Sequence, residues 1–309
     1  MGPTLRSIRL PHLPTTRFAI CLCGLLIAAG APAHASGFAF RDTYARPEIL
    51  ADVTWLAERI GDPTVRVVDA RVPFEWALYE AGHIPGAVFA DMFFGVPILP
   101  ASAFADAMGQ LGIDDDTTVV IYDTDGGAWA ARLWWALKFH GHDRAMMLNG
   151  GLRRWILAGL PIERTTPTVT PATFTPRTDR RWLATTAEVR AAIDDPRVVI
   201  LDTLPLSVYR GDGALYGRPG HITTALSFPT PDTLDAVTLT LMPPATLSRM
   251  LARLELDPTR RTLTYGGGGF YGAHGAFVLY LMGFDDVALY AGSLMDWVAN
   301  PANPMTTVP

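Results

Sequence analysis

The sequence predicts an α/β fold built twice. Two observations carry this: short β-branched strands alternate with helical stretches, and the segments beginning near residues 47 and 184 repeat the same order of signals. A third is the Thr/Pro-rich run between the copies, whose prolines fix φ and remove backbone donors, so it reads as an extended linker. Strands separated by helices call for a mostly parallel sheet covered by helices on both faces, because each crossover has to pass over the sheet.

The first copy opens with a helix-like stretch from Ala51 to Arg59, followed by the apolar strand Val65-Arg66-Val67-Val68-Asp69 and then Ala70-Arg71. A helix leads to the turn Gly82-His83-Ile84-Pro85-Gly86-Ala87. The strand Thr117 to Tyr122 enters a glycine-bearing turn and a long apolar helix from Trp129 to Phe139. The copy closes on Ala145 to Leu148, a Gly150-Gly151 turn and a helix bearing Trp155. Trp134 and Trp135, with Leu133 and Leu137 at helical spacing, read as core.

The second copy has a helix opened by Thr185 or Thr186, the strand Val198 to Asp202, and the turn Gly220-His221-Ile222. Its next strand, Arg261 to Tyr265, again ends on a tyrosine before a glycine turn and an apolar helix, Ala273 to Met282. Val287 to Leu289 and a glycine turn then lead to a Trp297-bearing helix. The domains read as 44–163 and 181–304, joined by a linker over 164–180.

The amino terminus reads as an export signal over residues 1–35. Arg6, Arg9 and Arg17 precede an apolar run from Phe18 to Ala29, and Ala33-His34-Ala35 forms a small-residue cleavage site. The rival reading, a retained anchor, is disfavoured because the run is shorter than the roughly 20 residues a spanning helix needs. Cleavage before Ser36 would give a periplasmic or secreted protein with no membrane attachment. Both cysteines, Cys21 and Cys23, lie in the removable segment, so the mature protein has neither disulfide nor thiolate. The net charge of −5 and the scatter of the 25 basic residues leave no dense positive face for nucleic acid.

Taken together, Asp69-Ala70-Arg71, the Gly82-to-Ala87 turn, Leu148-Asn149-Gly150-Gly151-Leu152-Arg153-Arg154-Trp155 and Ala158-Gly159-Leu160-Pro161 resemble the signatures of the tandem rhodaneses. These are the thiosulfate and 3-mercaptopyruvate sulfurtransferases, and the similarity runs from about residue 45 to 304. The resemblance implies a non-catalytic first domain, in keeping with Asp123 after Tyr122. It implies an active-site loop over 266–271, where active relatives carry a nucleophilic cysteine at the loop start. Gly266 stands there, so persulfide chemistry has no nucleophile at that position.

The rest of that loop, Gly267, Gly268, Gly269, Phe270 and Tyr271, has the length of the family cradle but not its basic or hydroxyl residues. The family's Asp-Ala-Arg is here Asp202-Thr203-Leu204. Arg210 and Arg218 match positions that in mercaptopyruvate enzymes bind the substrate carboxylate, and an arginine fork suits a carboxylate or sulfur oxyanion; the other reading is a salt bridge with Asp212 or a nearby carboxylate. The four-glycine run has two readings, an anion nest formed by loop amides or a turn loosened after its chemistry was lost. Phe270 and Tyr271 either flank a ligand or plug the space of the missing thiol.

No metal-ligand cluster and no Gly-x-Ser-x-Gly elbow is present, and no cofactor is expected. His83 and His221 read as turn residues bonded to backbone; His274, one turn into its helix, either faces the cleft or is a packing or surface residue. The implied function is a rhodanese-like protein without catalysis that binds a small sulfur oxyanion, a 2-oxo carboxylate or a protein partner in its interdomain cleft. The alternatives are a sulfurtransferase of which this chain is a Cys-to-Gly variant, and an interaction protein whose cleft is vestigial.

Overall fold

The computed structural model describes residues 38, 40–90 and 98–308; the expected export signal lies outside them. The described residues form one compact unit. Its first half contains β1 (Leu50–Ala51), α1 (Val53–Ala57), β2 (Val65–Asp69), α2 (Trp76–Ala81), β3 (Val88–Phe89), α3 (Ala101–Gln110), β4 (Thr118–Tyr122), α4 (Ala128–Phe139), β5 (Ala145–Leu148) and α5 (Gly151–Leu157). The second half contains α6 (Thr186–Ala192), β6 (Val198–Asp202), α7 (Leu206–Arg210), β7 (His221–Ile222), β8 (Leu226–Ser227), α8 (Pro244–Arg253), β9 (Arg261–Tyr265), α9 (Phe270–Leu281), β10 (Val287–Leu289), α10 (Ser293–Trp297) and β11 (Met305–Thr306).

The first sheet has the order β1-β5-β4-β2-β3 and the second β10-β9-β6-β8, with every neighbouring pair parallel. Both sheets are buried by helices, which is why β4 and β6 read as near-continuous apolar runs and not as alternating ones; β2 is broken by Arg66. The central registers match: Asp69 lies opposite Tyr122 in the first sheet and Asp202 opposite Tyr265 in the second. Where the first half adds β1 to β5, the second makes only a parallel bridge from Leu183 to Leu289. A short antiparallel pair, β7 with β11, completes the second half.

Two helix starts differ from the sequence expectation. The helix expected from Ala51 begins at Val53, because Ala51 pairs with Leu148 in the sheet and the Asp52 carboxylate caps by accepting the Thr54 N–H at 2.8 Å. The helix expected from Ala273 begins at Phe270, since Gly269 takes the left-handed N-cap conformation, φ 92°. Phe270 and Tyr271 are therefore in its first turn. The Thr/Pro segment is extended and held to the first half, with Ala172, Arg177 and Asp179 N–H groups donating to the Gly109, His140 and Phe139 carbonyls.

The halves meet along α4 and α9. Trp134, fully buried, packs edge-on against Phe277 with centroids 4.9 Å apart, and the Trp135 indole N–H donates to the Trp182 carbonyl at 2.8 Å. Both helices are apolar nearly all round because each is enclosed by its own sheet and by the other helix. This pairing brings the N-termini of α4 and α9, and the loops before them, to one end of the molecule. No helix among the described residues is long and apolar enough to cross a membrane.

Candidate functional site

Each central strand delivers its tyrosine to the same clasp. The Ile84 N–H donates to the Tyr122 hydroxyl oxygen at 3.2 Å, and the Ile222 N–H to that of Tyr265 at 2.9 Å. His83 bonds the Tyr79 carbonyl through Nδ1 at 2.8 Å and stacks on the Tyr79 ring; His221 does the same with Tyr209. Each imidazole thus spends its Nδ1 on backbone, and His83 Nε2 is buried without a partner among the described residues. No group of three or more His, Cys, Asp or Glu able to hold a metal occurs among the described residues.

Beyond Tyr265 the chain turns through four glycines. The Gly266 N–H donates to Ser293 Oγ at 3.0 Å, while the Gly266 and Gly267 carbonyls accept the Leu294 and Met295 N–H groups at 3.0 Å. The loop is therefore anchored to α10. The N–H groups of residues 267–272 find no acceptor among the described residues. They form the anion-seeking end of a twelve-residue helix.

The glycines are not interchangeable. A Cβ on Gly267 would lie 2.1 Å from the Tyr216 ring, and one on Gly269 would meet the Ala291 carbonyl at 2.6 Å in a left-handed backbone. Gly267 and Gly269 are set by close packing. At Gly266 the backbone suits any residue, and a Cβ would sit 3.0 Å from the Gly272 nitrogen and 3.4 Å from Thr203 Oγ1. A side chain at 266 would thus point at the free amide of the helix start.

The equivalent position in the first half is filled. The buried carboxylate of Asp123 accepts the Asp125 and Gly127 N–H groups through Oδ1, at 3.0 and 2.8 Å, and those of Trp129 and Ala130 through Oδ2, at 2.9 and 3.0 Å.

A cavity of about 320 Å³ opens beside the glycine loop, between the two halves. Trp129 from α4 and Phe270 from α9 touch across it, centroids 3.9 Å apart, and Tyr216, Tyr271, Leu204 and Val208 continue its wall. Asp125 supplies the lining's charge. Gly267, Gly268, Phe270 and Tyr271 are brought together here; Gly269 lies at the helix cap, and Arg210 and Arg218 lie outside the lining. Arg210 is exposed, and Arg218 donates to the Asn303 carbonyl at 3.0 Å, bracing the segment before β11. His274 is buried with Nε2 3.0 Å from Thr233 Oγ1, and burial pulls it down to about 4, so the ring is neutral.

Arg132 escapes the sequence reading. It is only 5 % exposed, its guanidinium lies 4.7 Å over the Trp135 ring, and Nη1 has no hydrogen-bond partner. That Nη1 comes within 3.3 Å of where a side chain on Gly269 would begin. Burial lowers it to about 10, which leaves it charged at neutral pH. Its signal in the sequence is a single cation inside the otherwise apolar stretch Ala128 to Leu137. Tyr216 has no comparable signal, because it sits in an irregular segment between α7 and β7.

Asp202 ends β6, two residues before Leu204 of the cavity wall. Its counterpart Asp69 is held by Arg71, Nη2 to Oδ2 2.6 Å, with both side chains buried. Asp202 faces Leu204 instead, accepts the Tyr265 hydroxyl at 2.6 Å and the Leu204 N–H at 2.8 Å, and burial pushes its carboxyl up to about 6. A larger cleft, about 720 Å³, lies at the far ends of α4 and β10, where Arg181–Asp179 and Arg261–Asp286 are already paired at 2.7 and 2.6 Å.

The family model for the rhodanese-like domain matches residues 52–158 and 185–300. The chain is 31 % identical over 271 residues to a probable 3-mercaptopyruvate sulfurtransferase of Pseudomonas aeruginosa, covering 82 % of this chain and 95 % of that protein. It is 30 % identical over 268 residues to the 3-mercaptopyruvate sulfurtransferase of Homo sapiens, covering 82 % and 85 %. Among solved structures it is similar to the anaerobic ergothioneine biosynthesis enzyme from Chlorobium limicola. That match has a TM-score of 0.78 at 22 % identity, over 86 % of this chain and 71 % of the other.

Proposed function

The chain belongs to the rhodanese-like family, in two tandem domains, and on that premise we propose that it is an exported, non-catalytic member that binds a small anion or carboxylate in the cavity at the Gly266 loop. One observation carries the reading: the position from which a side chain would address the α9 amides is occupied by glycine. Sulfur transfer through an enzyme persulfide needs a thiolate to attack the donor sulfur and release the remainder of the donor. Residues 36–309 contain no cysteine. What remains is a set of N–H donors with no acceptor among the described residues, a buried cation beside them and a walled cavity, which suits binding. The Arg-rich, apolar and small-residue order of residues 1–35 supports export; a mature protein starting at Ser36 in a periplasmic extract is the expected result of amino-terminal sequencing.

A second reading, a sulfurtransferase from which only the nucleophile is missing, is favoured by the curated relatives, which are named for that activity. Both readings meet in one experiment: sulfur transfer from thiosulfate and from 3-mercaptopyruvate to cyanide, by the unmodified protein and by Gly266→Cys. We expect silence from the unmodified protein. Turnover by Gly266→Cys alone would identify a pocket complete except for its thiol, because a Cβ there needs only a few tenths of an ångström of adjustment. Turnover by the unmodified protein would overturn the non-catalytic reading.

A further inference from the structure

The two halves place the same loop in two states. In the first, the Asp123 carboxylate is bound by four backbone N–H groups before and within the first turn of α4. In the second, the residue after the corresponding tyrosine is Gly266, and the N–H groups of 267–272 lack an acceptor among the described residues. The molecule therefore contains its own example of what such a loop holds: a carboxylate, entering from the end of the central strand.

An independent observation points to negative charge at the second loop. Arg132 is buried, carries no ion pair or hydrogen bond among the described residues, and leaves Nη1 unpartnered beside Gly269. A desolvated cation without a counter-ion is costly, and an anion on the loop would relieve that cost.

The cavity wall narrows the ligand further. Trp129, Phe270, Tyr271, Tyr216 and Leu204 offer apolar surface, and the charge they surround is the carboxylate of Asp125. Coulomb repulsion from Asp125 grows with the ligand's charge, so a sulfur dianion such as thiosulfate is penalised about twice as much as a monoanion. A cavity near 320 Å³ also has room for more than a two-carbon acid.

We propose that the loop from Gly266 to Gly272 binds the carboxylate of an apolar monocarboxylic acid, with its hydrocarbon part seated against the wall that Trp129, Phe270, Tyr271 and Tyr216 form. This rests on the ligand-binding reading above and names its ligand class. The carboxylate takes the place that the Asp123 side chain fills in the first half, and Trp129 reports occupancy through its fluorescence.

The test titrates the full protein with phenylacetate, phenylacetamide and thiosulfate, following tryptophan fluorescence and thermal midpoint, beside Gly266→Asp. Phenylacetate should raise the midpoint and bind at least about tenfold more tightly than either other probe. Gly266→Asp, which supplies its own carboxylate to the loop, should raise the midpoint without ligand and lose the phenylacetate response. Equal binding of phenylacetamide would overturn the proposal without needing any variant to fold, and so would phenylacetate binding retained in Gly266→Asp. Thiosulfate binding without phenylacetate binding would overturn the ligand class and leave the broader binding reading standing. Silence to all three would overturn both.

Discussion

Asp69 and Asp202 occupy the same register position beside a buried tyrosine, yet only Asp69 has a guanidinium at hand. Ionising Asp202 inside the fold is opposed by burial, which holds it near 6 against 3.8 in the unfolded chain. The folded state therefore binds the proton more tightly, and this group's contribution to stability falls as pH rises from about 4 to 6. His274 acts in the opposite sense: depressed to about 4, it costs stability as pH falls below its ordinary value of 6.5. Asp202→Asn removes the first slope and leaves the second. Urea midpoints at pH 4.5 and 7.5 should show the variant gaining about 1–2 kcal/mol more at the higher pH. An equal difference at both values would mean Asp202 ionises without hindrance. The missing partner was legible as Asp202-Thr203-Leu204; the partnerless Arg132 was not singled out, because its significance depends on where α9 and Gly269 come to lie.

At the scale of elements, the two strand-loop-helix units differ in who supplies the carboxylate. Removing the acceptor in Asp123→Ala strands four amides at the start of α4 and should cost about 3 kcal/mol in denaturant unfolding. In the other loop, position decides the cost. Gly269→Ala meets the Ala291 carbonyl in a left-handed backbone and should lose about 2 kcal/mol or more, whereas Gly266→Ala, in an ordinary backbone, should lose less than about 1 kcal/mol. Similar losses at both would show that the loop relaxes freely. Strands and their order of appearance were legible because β-branched runs ending in Tyr122 and Tyr265 recur. The start of α9 was less so, since glycine at 269 is needed for its φ and for the approach of Ala291, and neither appears in a pattern of apolar spacing.

The whole molecule is unified by α4 against α9, around which a large shared core forms, while a smaller cluster on the outer face of each sheet belongs to one half alone. Trp134→Ala should cost about 3–5 kcal/mol, because Trp134 is enclosed by Phe277, Trp182 and Tyr280 from beyond its own half. Unfolding followed by tryptophan fluorescence and by far-ultraviolet dichroism should remain one coincident transition in the unmodified protein; two separated transitions would show halves that fold independently. Repetition in the sequence announced two domains, but the shared core follows from helices too apolar to be covered by one sheet. The extended Thr/Pro segment adds to this, since Ala172, Thr175, Arg177 and Asp179, in the linker beyond residue 166, bond residues of the first half. A cut at the exposed Thr165-Thr166 bond would therefore leave two polypeptides gripping each other, and the same pieces made separately should reassociate as a split protein whose assembly reports on the α4–α9 contact.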